Sequence, residues 1–154
     1  MARFHISGLT DEFTGEVRNT MRSPGYGHPV VREVATGTGP CRACFGLFDV
    51  GADERLLFTY RPRSEDGTLG APGPVVIHAR ACSHYEGNAL PEGLRRLPLF
   101  IEARASGNRV LEARTAHGED ADAVLSAMLD DAAVDYLYVR HGEAGCHIAR
   151  VDRA

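Results

Sequence analysis

The segment Asp135-Tyr-Leu-Tyr-Val-Arg-His141-Gly-Glu-Ala-Gly-Cys146-His-Ile-Ala-Arg150 predicts two β-strands joined by a short glycine-containing loop. In a regular hairpin, His141 and Cys146 would close this loop as a cross-strand pair, with Cβ atoms roughly 4.5–5.5 Å apart. Side-chain alternation would place Arg150 on the same face, among apolar residues. The hairpin therefore predicts an antiparallel sheet and, on one of its faces, a pocket containing cysteine, histidine and arginine.

Hydrophobic patterns along the rest of the chain predict more antiparallel strands and two helices. Strands are expected at 30–35, 45–50, 55–60, 75–82, 97–105 and 109–115, mostly joined as hairpins. An apolar stripe predicts a late helix at about 119–131, and residues 9–21 could form a short N-terminal helix. Residues 61–74, rich in Gly and Pro, are expected to form a long loop. These elements predict an α+β fold, and 154 residues fit a single domain over 1–154.

Composition restricts the classes of partner. The net charge is −4 and the arginines form no basic block, which argues against nucleic-acid binding. No run of roughly 18 apolar residues is present, so no membrane span is predicted. The start, Met1 to Ser7, lacks the basic-then-apolar pattern of a signal peptide, which predicts a cytoplasmic protein. The four cysteines are therefore expected to be thiols, ligands or catalytic groups rather than disulfides.

Two groups of residues could bind a metal ion. Cys41-Arg42-Ala43-Cys44 has the Cys-x-x-Cys spacing of redox and zinc sites. Its predicted surroundings do not suit a redox site, and Cys146-His147 would be a poor second ligand pair. Alternation places His78, Cys82 and His84 on one strand face, which suits a soft divalent metal. Half-buried thiols and a solvated polar strand face would explain the same two patterns without a metal.

The pair His141 and Cys146 indicates chemistry more specifically, because turn geometry brings the two together. An imidazole beside a thiol can create a nucleophile. Arg150 on the same predicted face needs a counter-charge, which is either an anionic ligand or an internal carboxylate such as Glu102 or Glu112. A reactive pocket remains one interpretation, and a hydrogen-bonded histidine beside a packing cysteine remains the other.

The order of several motifs resembles a bacterial family. The motifs are Pro40-Cys41-Arg42, Gly73-Pro74 before an apolar strand, Arg104, His141 with Gly145-Cys146, and Ala149 to Ala154. From Val30 onward the chain is similar to the domain-of-unknown-function family numbered 1203. The resemblance implies a single-domain bacterial protein whose recurrent motif positions are Cys41, Arg42, His141, Cys146 and Arg150. It implies no particular activity.

The leading hypothesis is an enzyme acting on a small anionic metabolite. Cys41 or Cys146 would be the nucleophile or acid, and His141 would be the base. The substrate's carboxylate or phosphate would be held by the arginines Arg42, Arg104 and Arg150.

Two other hypotheses stay open, so the sequence does not decide whether the protein is an enzyme. One is a non-catalytic domain whose arginines bind an anion or an acidic group of a partner. The other is a metal protein, with ligands drawn from Cys41, Cys44, His78, Cys82, His84, His141 and Cys146. No cofactor is predicted, and zinc is the one metal left open. An apolar patch of Tyr136, Tyr138 and Phe100 would suit a homodimer.

Overall fold

A computed structural model describes residues 3–62 and 70–154, so residues 63–69 of the predicted loop lie outside the described residues. The strands are β1 (Phe4–Ser7), β2 (Val31–Val34), β3 (Glu54–Tyr60), β4 (Gly73–His78), β5 (Glu86–Gly87), β6 (Pro98–Ala105), β7 (Arg109–His117), β8 (Tyr136–His141) and β9 (His147–Arg153). The helices are α1 (Asp11–Thr20), α2 (Glu92–Arg95) and α3 (Ala121–Leu129). The predicted α+β class, with mainly antiparallel strands and one late helix, is confirmed. None of the described helices is long and apolar enough to cross a membrane.

The larger sheet is built around the C-terminal hairpin. Its strands lie in the order β5-β1-β9-β8-β6-β7, and every neighbouring pair is antiparallel. One face packs against α3 and buries Ile101, Leu137 and Val139 completely, together with Leu125 of the helix. Because side chains alternate along a strand, the polar residues of β6 and β8 lie on the opposite face. That polar face is therefore available to line a site.

The smaller sheet has the order β2-β3-β4 and is also antiparallel. Its core contains Leu56 from β3, Val17 from α1 and Cys41 from the irregular segment after β2. α1 begins after Thr10, whose side-chain oxygen accepts a hydrogen bond from the amide of Phe13. The buried cysteine thus belongs to a second core, separate from the one under the larger sheet.

The predicted strand at 45–50 is wrong, because this segment is irregular. Phe45 has a positive φ of 58°, and its amide donates to the carbonyl of Cys41 in a tight turn. Phe45 and Phe48 are both buried, but in different cores. The segment is therefore shaped by the burial of these two rings and not by the in–out alternation of strand side chains. β3, expected to form a hairpin with this segment, pairs with β2 and β4 instead.

The predicted strand at 75–82 ends early, at His78. The amide of Ala79 still donates to the carbonyl of Glu54, after which the chain leaves the sheet. The expectation that His78, Cys82 and His84 share one strand face is therefore wrong.

The C-terminal hairpin closes as predicted, since the amide of His141 donates to the carbonyl of Cys146 at 2.9 Å. Further along, a β-bulge leaves Ile148 without a partner on β8. Ile148 and Ala149 both enter the core as a result. This extra residue reverses the alternation, so Arg150 lies on the polar face and its predicted placement among apolar residues is wrong.

Candidate functional site

Four metal-ligand side chains converge in the smaller core: Cys41, Cys44, His78 and Cys82. We call these four residues the cysteine cluster. Their ligand atoms all lie within 4.8 Å of one another. Sγ of Cys41 lies 3.9 Å from Sγ of Cys82, and Sγ of Cys44 lies 3.5 Å from Nδ1 of His78. The tight turn after β2 supplies two ligands, and the end of β4 with the segment after it supplies the other two.

Each thiol of the cysteine cluster accepts at least one N–H hydrogen bond. The donors are the His78 amide to Cys41 at 3.4 Å, the Gly46 amide to Cys44 at 3.3 Å and Nη2 of Arg18 to Cys82 at 3.4 Å. Hydrogen bonds of this kind stabilise negative charge on sulfur. The surroundings of the cluster therefore suit thiolates.

Hydrogen bonds among the three thiols make their pKa values differ from one another. Donation from Cys44, and then from Cys82, lowers the pKa of the Cys41 thiol. The hydrogen bond to Cys41 is the largest cause that raises the pKa values of Cys44 and Cys82, and burial adds to it. A divalent cation would bind all three sulfurs as thiolates and displace the remaining protons.

Two separations within the cysteine cluster match those of a tetrahedral metal site. With zinc–sulfur bonds of about 2.3 Å and zinc–nitrogen bonds of about 2.0 Å, a tetrahedron separates two sulfurs by roughly 3.8 Å and sulfur from nitrogen by roughly 3.5 Å. The corresponding separations here are 3.9 Å and 3.5 Å. The cluster could therefore hold one metal ion with four protein ligands.

Arg42 connects the cysteine cluster to a second feature. Its buried guanidinium donates from Nε to the carbonyl of His147 at 2.6 Å and from Nη1 to the carbonyl of Pro40. Nη2 lies 3.2 Å from Sγ of Cys146. Burial lowers the pKa of Arg42 and the neighbouring Cys146 opposes that shift, but a guanidinium stays charged in a protein. The residue after the first cluster ligand thus reaches the C-terminal hairpin.

The second feature is a cavity of about 450 Å³ where the polar face of the larger sheet meets α1 and the end of β3. We call it the arginine cleft. The residues that characterise its lining are Arg104, Tyr138, Arg140, Cys146, His147 and Arg150. Among the described residues that line it there is no Asp or Glu.

Carboxylates behind the lining hold the three arginines in place. Glu102, itself buried, pairs with Arg104 at 3.1 Å and also with Arg140. Arg150 pairs with Asp152 at 2.8 Å. Among the described residues, Asp152 on the same strand is therefore an internal counter-charge of Arg150, whereas the sequence had offered Glu102 and Glu112.

His147 supplies a neutral polar group to the arginine cleft. Its Nδ1 lies 3.1 Å from the hydroxyl of Tyr138, and its ring centroid lies 4.8 Å from that of Tyr60. Burial, and then the charge of Arg42, lower the pKa of His147 to about 3. Burial raises the pKa of Tyr138. Both groups are uncharged near neutral pH.

The residues predicted as a site divide between the two features. Cys41 belongs to the cysteine cluster, Arg42 lies between the two features, and Arg104, Cys146 and Arg150 line the arginine cleft. Nδ1 of His141 accepts the amides of Glu143 and Ala144 within its own turn, both at 3.1 Å. In the described part of the chain, no hydrogen bond joins the imidazole of His141 to a cysteine thiol. A shared catalytic role for Cys41, His141 and Cys146 therefore stays a prediction.

Three of the six residues that characterise the cleft were not predicted as site residues from the sequence: Tyr138, Arg140 and His147. The first two could have been found from alternation, because they face away from the apolar residues of β8. The tyrosines expected to form a dimer patch, Tyr136 and Tyr138, are only 7% and 9% exposed. The homodimer stays a prediction.

Fold and site together define an α+β protein with a four-ligand cysteine cluster beside an arginine-lined cleft. The chain belongs to the family described as "Protein of unknown function (DUF1203)", whose model matches residues 38–153. The match spans the cysteine cluster and every lining residue that characterises the cleft, and it confirms the resemblance seen in the sequence. No curated protein and no solved structure matches the chain.

Proposed function

We propose that the protein is a zinc-binding protein in which Cys41, Cys44, His78 and Cys82 hold one zinc ion. Three thiolates and one imidazole are a common ligand set for structural zinc. The observation that carries the proposal is the convergence of four ligand atoms within 4.8 Å of one another, with two of their separations, 3.9 Å and 3.5 Å, close to those of a tetrahedral zinc site. Four protein ligands leave no open position, so the ion would be structural rather than catalytic.

The proposed ion would hold together parts of the molecule that are distant in sequence. It would tie the turn at Cys41–Cys44 to the segment that follows β4. Through Arg18 it would also restrain α1, because that guanidinium contacts both Cys82 and the carbonyl of His78. The proposed role is therefore to stabilise the smaller core and the wall it shares with the arginine cleft.

Metal analysis of protein purified without an affinity tag tests this proposal. We expect about one zinc per chain in the wild type. Cys44→Ser should lose most of the zinc, because one thiolate ligand is removed. Cys146→Ser is the matched control, since the same substitution at a cysteine outside the cluster should leave the zinc content unchanged.

Two results would contradict the zinc proposal. One is a metal-free wild type after expression in zinc-supplemented medium and failure to bind added zinc or Co²⁺. The other is equal zinc loss in Cys44→Ser and Cys146→Ser. Thiolate-to-cobalt absorption after exchange with Co²⁺ would report sulfur ligation independently of zinc content.

A second candidate is a cytoplasmic enzyme acting on a small anionic metabolite. The observation that favours it is the position of Cys146, which lines the cleft with Arg104 and Arg150 and accepts a hydrogen bond from Arg42. The four cysteines are free thiols, as expected in a reducing compartment. In this enzyme Cys146 would be the nucleophile or the acid.

Thiol alkylation read by peptide mass spectrometry tests the second candidate. Cys146, which is half-buried at the cleft, should react first, and fully buried Cys41 should stay protected in the metal-loaded protein. An inert Cys146 would argue against covalent chemistry at this thiol.

A further inference from the structure

The lining of the arginine cleft carries one sign of charge. Arg104, Arg140 and Arg150 contribute three guanidiniums, and no acidic residue is found among the lining residues that the structure describes. Behind the lining, Glu102 serves two of the arginines and Asp152 serves the third. Arg104 and Arg140 therefore share the single carboxylate of Glu102, which leaves positive charge in excess on this part of the described lining.

Two of these guanidiniums also retain unused hydrogen-bonding capacity. Nε of Arg104 and Nε of Arg140 are buried, and neither has a hydrogen-bond partner among the described residues. Buried N–H donors are almost always paired in folded proteins. Each of these guanidiniums therefore keeps a donor that the described protein groups do not pair, and a guanidinium is suited to a carboxylate or phosphate.

Aromatic rings hold the arginines and supply an apolar surface. The guanidinium carbons of Arg104 and Arg140 lie 5.4 Å and 5.6 Å from the ring centroid of Tyr138, so both stack near one ring. Phe13 and Tyr60, which contact each other edge to face at 5.4 Å, also line the cavity. The cleft therefore combines oxyanion donors with a wall suited to a ring or hydrocarbon.

We propose that the arginine cleft is a binding site for a small organic anion, whose carboxylate or phosphate is held by Arg104, Arg140 and Arg150. The apolar part of the ligand lies against Phe13 and Tyr60. The cavity volume of about 450 Å³ is within the usual range of small-molecule pockets. The neutral His147 and the hydroxyl of Tyr138 offer polar contacts that do not repel an anion.

The site does not depend on the zinc proposal, because none of the cluster ligands lines the cleft. It also requires no reaction at Cys146. Anion binding, zinc content and thiol reactivity are measured separately, so the failure of one proposal is distinguishable from the failure of another.

Calorimetric titration with benzoate and with phenyl phosphate tests the site, and benzamide serves as the neutral counterpart of benzoate. We expect at least one of the two anions to bind with a dissociation constant on the order of a millimolar or below. Benzamide should bind at least about tenfold more weakly than benzoate, because it lacks the charge that the arginines match.

A matched pair of variants locates the binding. Arg104→Gln removes a cleft guanidinium and leaves Glu102 paired with Arg140. Arg114→Gln removes a guanidinium that pairs with Glu112 in the same two-residue arrangement on neighbouring β7, outside the cleft lining. We expect Arg104→Gln to weaken anion binding at least about tenfold and Arg114→Gln to leave it unchanged.

Three outcomes would overturn the proposal. The first is that neither anion binds the wild type at concentrations up to roughly ten times the expected millimolar dissociation constant. The second is that benzoate and benzamide bind equally. The third is that Arg104→Gln and Arg114→Gln change anion binding equally. If Arg104→Gln fails to fold, Arg104→Lys provides the same test. It keeps the charge that Glu102 needs but removes the planar fork. It should still weaken anion binding, and unchanged binding would overturn the proposal.

Discussion

At the scale of single residues, Arg42 shows how one side chain joins two sites. It follows Cys41 in the sequence, yet its guanidinium contacts the carbonyl of His147 and the thiol of Cys146 on the C-terminal hairpin. The guanidinium donates from three nitrogens in a fixed plane, and the single nitrogen of a lysine ammonium could not reproduce this arrangement. The chain therefore uses an arginine here for geometry as well as charge.

His147 gives the protein a pH dependence whose sign can be predicted. Its pKa in the folded protein is about 3, against a value of 6.5 for the unperturbed group. Between these values the unfolded chain binds a proton that the folded protein does not. The free energy of unfolding therefore keeps its full contribution from this group above pH 6.5. It decreases as pH falls below that value, by at most about 1.4 kcal/mol per pH unit.

Urea denaturation of wild type and His147→Gln at neutral pH and at about pH 5 measures this effect. The wild type should lose more free energy of unfolding on acidification than the variant, whose amide does not titrate. Equal losses in the two proteins would show that His147 is not held neutral. Because both proteins carry the cysteine cluster, proton effects on the thiols cancel in the comparison.

At the scale of elements, the turn that carries Cys41 and Cys44 is fixed by close backbone contacts. A Cβ added to Gly8 would lie 2.0 Å from the carbonyl oxygen of Ala43, so only glycine allows the β1–α1 loop to approach this closely. The amide of Leu9 donates to the carbonyl of Arg42 in the same place. The loop at the cleft and the turn of the cluster therefore form one packed unit.

The contacts of α1 with the cysteine cluster lead to a prediction about Arg18. This arginine donates to the thiol of Cys82 and to the carbonyl of His78, so Arg18→Met should weaken zinc binding by roughly tenfold or more. Competition with a chromophoric chelator measures the affinity. Arg22→Met is the control, because Arg22 donates to the carbonyl of Gly27, away from the cluster.

An unchanged zinc affinity in Arg18→Met would mean that the hydrogen bond to Cys82 does not support the ligand. Circular dichroism at the titration temperature should show both variants folded. A loss of affinity in Arg22→Met as well would indicate a general loss of stability instead.

At the scale of the whole molecule, the two cores have different means of stabilisation. The core of the larger sheet is formed mainly by aliphatic residues from five of its six strands, α2 and α3. The smaller core has three strands and one long helix, and it contains the cysteine cluster. A small core gains proportionally more from a bound metal ion.

Removal of the metal should therefore destabilise the smaller core more than the core of the larger sheet. We expect a chelator to lower amide protection at 41–46 and 76–82 by at least about tenfold. The amides of Ile101 and Val139, in the centre of the larger sheet, should be much less affected. Hydrogen exchange followed by mass spectrometry measures both regions in one experiment.

Cys44→Ser is the control for this comparison, because a variant without zinc should not respond to the chelator. A uniform loss of protection over both sheets would contradict a local role for the metal. No change in either region would contradict a stabilising role.

The amino-acid sequence by itself determined the α+β class, the C-terminal and β6–β7 hairpins and the two longer helices, because hydrophobic periodicity and turn residues act locally. It also identified Cys41, Arg104, Cys146 and Arg150 as candidate site residues. Their grouping was decided only by the tertiary structure. The β-bulge at Ile148 moved Arg150 to the polar face, and the early end of β4 brought Cys82 to Cys41. Both changes depend on which side chains the cores could bury, and burial is settled by contacts between residues far apart in the chain.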